Sequence, residues 1–251
     1  HGHGGEAPGH AHDDHDDDHE RPSGEPGHDA AHSHAVPYVQ LRSERWDVRG
    51  EYREPFAGFA RLKLRAGFTN YRHDEIEDGS IATTFRNKAH DARIELKHHP
   101  LGGWHGVIGT LITRRDFSAI GEEAYLQPTE TRSHALFALE EYRLGNWRFE
   151  ARLRREWQRI RVESAEPDTR HGGTSASLGA VWRFAPQYSL GLSLSRSQRL
   201  PSAEELYANG LHLATSTYER GDPTLSAETS RNVDVSLRKQ GNTSFAISAF
   251  H

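Results

Sequence analysis

Residues 147–154, WRFEARLR, alternate without a break: Trp147, Phe149, Ala151 and Leu153 fall on one side, and Arg148, Glu150, Arg152 and Arg154 on the other. Successive side chains of an extended chain point to opposite faces, so this spacing predicts a strand with one apolar and one charged face. The same split recurs on both sides of it. Leu62, Leu64, Ala66 and Phe68 oppose Arg61, Lys63 and Arg65; Ala176, Leu178, Ala180 and Trp182 oppose Ser175, Ser177, Gly179 and Arg183; Tyr188, Leu190, Leu192 and Leu194 oppose Ser189, Gly191, Ser193 and Ser195. No stretch beyond Pro37 holds a helical spacing, and the fold class expected is all-β.

About ten strands are expected, near 38–52, 60–73, 83–98, 104–117, 131–144, 147–163, 174–185, 188–197, 229–239 and 243–251. Short connections at 53–59, 98–103, 145–146, 186–187 and 240–242 alternate with long ones at 74–82, 118–130, 164–173 and 198–228. Such alternation is what an antiparallel up-and-down transmembrane barrel produces, with tight turns at one rim and loops at the other. Tyr52, Phe56, Phe59, Trp104, Tyr142, Trp147, Trp182, Phe184 and Tyr188 gather beside the short turns, as an aromatic girdle at a membrane interface would. A soluble β-sandwich shares the alternation but gives no reason to sort aromatics to one end. Ten strands of this length make a partial barrel. His251 falls inside the last apparent strand, so further strands are expected on each side, because an open edge in lipid leaves backbone groups unsatisfied.

Composition narrows the classes further. No run approaches the ~18 continuous apolar residues of a membrane helix, and the chain has no cysteine, which excludes a thiolate metal site or disulfide scaffold. The chain also lacks methionine and a leader-like opening, consistent with a piece of a longer protein. Charge divides it near Pro37. Residues 1–36 hold one arginine against six aspartates and three glutamates, giving -8, and the remainder carries +3 of the total -5. That surplus is too small, and too interleaved with acids, for a nucleic-acid surface.

The first segment, residues 1–37, is read as a disordered, extracellular metal-capturing loop attached to a partial barrel over 38–251. His1, His3, His10, His12, His15, His19, His28, His32 and His34 are interleaved with Asp13, Asp14, Asp16, Asp17, Asp18 and Asp29. Glycine, proline and alanine between them leave little to bury, so the segment is expected to be disordered until it binds. Imidazole and carboxylate donors suit Zn²⁺, and also Ni²⁺ or Cu²⁺. Its metal ligands are expected among those nine histidines with Asp13, Asp14 and Asp16. His98 and His99 are expected at the short-turn interface, and His73, His90, His105, His134 and His171 in loops or the lumen.

Residues 196–228, RSQRLPSAEELYANGLHLATSTYERGDPTLSAE, resemble the barrel signature of TonB-dependent receptors through Pro201, Glu205, Leu206 and Tyr207, then Gly221, Asp222, Pro223, Leu225 and Glu228. ELYANGLHLAT with His212, NYRHDEIEDG around His73, and the histidine-rich segment resemble the zinc-uptake branch of that family. Leu211 stands where that branch usually has proline. The resemblance implies a barrel of twenty-two strands in the Gram-negative outer membrane, an N-terminal plug, and energising contact with the TonB complex; neither plug nor contact motif lies in these residues. It also makes His212 the best single candidate for a defined zinc ligand facing the transport path. The function expected is capture and import of zinc ions. A receptor for haem or another metal chelate is the first alternative, and a soluble periplasmic metal-buffering β-protein the second. No G-x-S-x-G, H-E-x-x-H or phosphate-binding glycine loop is present, so no enzyme is expected.

Overall fold

The computed structural model describes residues 38–121, 124–212 and 217–251, with backbone alone at Leu211 and His212. Ten strands form one antiparallel sheet: β1 (Tyr38–Phe56), β2 (Phe59–Glu77), β3 (Ser80–His98), β4 (Trp104–Gly121), β5 (Thr129–Leu144), β6 (Trp147–Val162), β7 (Thr169–Ala185), β8 (Tyr188–Arg199), β11 (Glu228–Lys239) and β12 (Phe245–Phe250). Each pairs with its neighbour in chain order, β8 being followed by β11. The ten expected strands are all found. Between β8 and β11 lie a five-residue helix, α1 (Ala203–Tyr207), and a two-stranded hairpin of β9 (Asn209–His212) and β10 (Thr217–Arg220), which alternation did not reveal.

The registers keep the two faces separate across the whole sheet. Leu62, Leu96, Ile108, Ala138, Leu153 and Ala176 stand in one cross-strand row that starts at Tyr52 on β1 and reaches Arg196 on β8. Along that row the pairing drifts: Tyr52 lies four residues short of the end of β1, and Arg196 eight residues past the start of β8. Among the described residues nothing covers the apolar face, with Leu136 at 55%, Leu153 at 54% and Leu178 at 62% exposure. At its short-turn end the expected aromatics touch one another: Trp104 and Tyr142 at 4.8 Å, Trp147 and Trp182 stacked at 5.3 Å, and Phe56 edge-on to Phe59 at 5.1 Å.

One expected loop is absent. Residues 74–82 are not a long connection: β2 and β3 run on to a two-residue turn at Asp78 and Gly79, whose φ values of 48° and 78° are those of a tight hairpin turn. The alternation fades there because Asn70, Arg72 and Asp74 continue the apolar face beyond its greasy part, so polarity no longer marks the strand.

Candidate functional site at the long-loop end

The sheet's polar face carries little buried apolar surface except near the long loops. There Leu126, Ile160, Ala203, Leu206 and Tyr207 form a compact cluster, with Phe117, Tyr125 and Val162 packed against it. Phe117, Ile160 and Val162 belong to the polar face of β4 and β6, opposite Trp104 and Trp147 in the alternation. The segment after β8 therefore folds back across that face. It is held there by a Gln158 side-chain N–H donating to the Pro201 carbonyl at 2.8 Å and by Arg115 pairing with Glu204 at 3.2 Å.

Most residues of the sequence signature have a physical task in this knot. Ser202 caps α1, its Oγ accepting from the Glu205 N–H, while the Glu205 carboxylate accepts from the Ser202 N–H at 2.8 Å. Arg199 forms a bidentate pair with Glu205, both contacts at 2.8 Å, and also reaches Glu228 at 2.9 Å, so the end of β8, the helix and the start of β11 share one guanidinium. This guanidinium, with the Ser202 N–H, draws the Glu205 carboxyl down to about 2. Leu206 is wholly buried. Tyr207 donates its hydroxyl to the Pro167 carbonyl at 2.8 Å and lies 3.0 Å from Thr169 Oγ1, and burial pushes its phenol up. Gly221 donates to the Ala208 carbonyl at 2.6 Å, and a Cβ on it would stand 2.5 Å from the Leu206 carbonyl carbon, which only glycine avoids. Asp222 closes the turn by accepting from the Thr224 N–H and hydroxyl.

A second polar group lies on the same face of β2 and β3. His73 stacks on Phe85 at 4.4 Å, meets Tyr71 edge-on at 5.5 Å, and places its Nε2 3.6 Å from a Glu75 carboxylate oxygen. His73 Nδ1 and Glu75 Oε2 are both buried without a hydrogen-bond partner among the described residues. They are two donor atoms of the types that divalent metals accept. From sequence His73 is expected in a loop or the lumen and Glu75 carries no expectation; the i, i+2 spacing on an extended strand is the signal that joins them. Among the described residues no group of three or more histidines and carboxylates is placed to hold a metal ion.

His98 pairs with Glu140 at 3.2 Å and His99 with Glu54 at 2.8 Å, both beside short turns. His134 stacks on Trp157 at 4.8 Å on the apolar face, the face that His98 and Glu140 also share. His171 donates through Nε2 to the Leu225 carbonyl at 2.9 Å, fastening the loop. His212 takes part in the hairpin through its backbone opposite Thr217, and its side chain lies outside the described residues. So do His1, His3, His10, His12, His15, His19, His28, His32, His34, Asp13, Asp14 and Asp16.

Near the short turns, Arg61, Lys63, Lys97 and Arg143 line an open groove of about 430 Å³ on the polar face together with Glu95 and Glu141.

Solved structures share this arrangement. The sheet superposes on the copper transporter OprC with a TM-score of 0.69 at 11% identity, covering 84% of this chain and 38% of that one. For the hemophore receptor HasR of Serratia marcescens, in complex with its hemophore HasA and heme, the TM-score is 0.68 at 17% identity, over 85% and 39%. For the FrpB iron transporter of Neisseria meningitidis it is 0.65 at 12%, over 85% and 36%. The chain thus spans about two fifths of the length of these structures, and at such identities the likeness is one of fold. Residues 4–251 match the family described as TonB dependent receptor-like, beta-barrel. This chain belongs to the TonB-dependent receptor family and forms part of its β-barrel wall.

Proposed function

We infer that the chain is part of an outer-membrane receptor that takes up metal ions, with zinc as the ion. The apolar face meets lipid and the polar face lines the transport path. The observation that carries this reading is the two-faced wall: an uncovered apolar belt with aromatics at one end, backed by a polar face onto which the signature loop folds. Within the path, His73 and Glu75 offer imidazole and carboxylate to a passing divalent ion, and His212 is a further zinc ligand. Residues 1–37 lie outside the cell and gather Zn²⁺ by the avidity of many weak sites. The rest of the receptor supplies the plug and the contact with the TonB complex, and no covalent chemistry is involved.

Equilibrium dialysis of the protein in detergent against Zn²⁺ tests this. Deleting residues 1–36 should remove most of the bound zinc, and His73→Ala should weaken what remains; unchanged stoichiometry after the deletion would sink the capture role. A second reading is favoured by the basic groove of Arg61, Lys63, Lys97 and Arg143, which suits an anionic metal chelate or haem better than a bare cation. Spectral titration with haem separates the two, since axial histidine ligation changes the absorption bands.

A further inference from the structure

The apolar face holds one acid within its greasy part. Between the cross-strand row of Trp104 and Tyr142 at the short-turn end and the row of Arg114 and Arg132 toward the long loops, Glu140 is the only carboxylate on that face among the described residues. Its own row reads Gly106, Glu140, Ala151, Leu178, Leu194 from β4 to β8. An ionisable group on the lipid side is costly to leave unpaired, so what neutralises Glu140 is informative. Its ion-pair partner among the described residues is His98, two strands away, with Nε2 at 3.2 Å from Glu140 Oε2. The contact crosses over Gly106, because the carboxylate occupies the space that a Cβ there would take.

The protons of this pair can be placed. His98 Nδ1 lies 2.5 Å from the His99 carbonyl, and a carbonyl only accepts, so Nδ1 carries a proton. The Nε2 contact then needs a second proton, shared between imidazole and carboxylate. Whichever atom holds it, the pair is neutral as a whole and Glu140 Oε1 remains an acceptor with no hydrogen-bond partner among the described residues. Glu140 also edges an apolar groove of about 340 Å³, hollowed where Ala151 and Ala180 stand among Phe149, Leu178 and Leu192. A groove of that size holds an acyl chain but not a helix, which is about 10 Å across with its side chains. A chain-sized hollow with one unmet acceptor at its edge fits a lipid whose head donates N–H, since an acceptor in an apolar setting gains most from a charged donor.

We propose that this groove binds a primary-amine phospholipid of the leaflet on the short-turn side, its ammonium donating to Glu140 Oε1 and one acyl chain lying over Ala151 and Ala180. The proposal rests on the membrane placement given under the proposed function. The experiment inserts the protein into phosphatidylcholine nanodiscs carrying a trace of labelled phosphatidylethanolamine, phosphatidylcholine or phosphatidylglycerol with identical chains. It measures the label retained after exchange into excess unlabelled phosphatidylcholine.

The wild type should hold phosphatidylethanolamine on the order of tenfold better than phosphatidylcholine, which has the same net charge but no N–H, as one hydrogen bond to a charged group implies. Phosphatidylglycerol should be held no better than phosphatidylcholine. Glu140→Leu, a side chain at home on a lipid face, should erase the preference, and Ala180→Leu should lower phosphatidylethanolamine retention by filling the groove. The control Glu156→Gln, which breaks the 2.9 Å pair with Arg154 on the polar face, should behave as the wild type does; heat-modifiable gel migration checks that all three fold. Equal retention of the three lipids by the wild type would overturn the proposal without any variant, as would a preference that survives Glu140→Leu or undiminished retention by Ala180→Leu. Failure of the wild type to insert into the nanodiscs would overturn the membrane placement as well, whereas normal insertion without selective retention would overturn the lipid site alone.

Discussion

Leu178, in the middle of the wall, is 62% exposed, and Leu206, in the loop between β8 and β11, is not exposed at all. The same side chain serves opposite ends in the two regions. In the wall, cohesion comes from the strand ladder, and the leucines are turned toward whatever surrounds the sheet. In the knot, cohesion comes from an ordinary buried cluster reinforced by the Arg199, Glu205 and Glu228 ion pairs. The difference teaches that the signature residues shape the long-loop end of the polar face and do not hold the wall together, so damage to one region should leave the other standing.

The largest expected effect tests the knot. Leu206→Ala removes a fully buried side chain and should cost about 2–5 kcal/mol of local stability. Hydrogen exchange should accelerate over residues 200–227 while β1 to β7 keep their protection; global unfolding instead would mean that wall and knot form one cooperative unit. Next in size is Leu178→Arg, which places a charge on the lipid-facing side and should destabilise the wall by about 2–4 kcal/mol in vesicles. Ser177→Arg, on the polar face one residue away, should cost far less, and equal costs measured by denaturant unfolding would contradict the assignment of faces.

The smallest effect is a pH dependence confined to the knot. Glu205 is held at about 2, below its ordinary 4.5, chiefly by Arg199. Its stabilising contribution is therefore fully present above the ordinary value and is lost as pH falls through the folded one. Exchange over 200–227 should stay flat from neutral pH to about 4.5 once the intrinsic rate is removed, then rise toward pH 2. Glu205→Gln should abolish that rise and speed exchange at pH 7; a wild type that loosened between pH 7 and 5 would point to another group.

The wall was legible in the sequence because a strand with lipid on one side and water on the other must alternate, and WRFEARLR does so with no exception. The upper ends of β2 and β3 were less legible: Arg72 and Asp74 lie on the apolar face where it has left the greasy layer, and the Asp78-Gly79 turn signal was overridden by their polarity. α1 is too short for any periodicity, although its capping box, Ser202 with Glu205 three residues on, was open to reading. The knot was recognised as a signature without its mechanics, since the contacts of Tyr207 with Pro167 and Thr169 span about forty residues and no local pattern encodes them. The His73 and Glu75 pairing was hidden by the mistaken loop at 74–82.

The slow climb of the cross-strand row, from near one rim at Tyr52 to near the other at Arg196, has a geometric corollary. A sheet that closes on itself must meet its own first strand after a fixed axial offset, which strand number and tilt set together. A ribbon with this pitch therefore seals at one circumference only. Inserting or deleting a single hairpin would bring the seam together out of step, and since a slip of one residue exchanges inner and outer faces, such a variant should stall as an unsealed sheet and not settle into a narrower or wider tube.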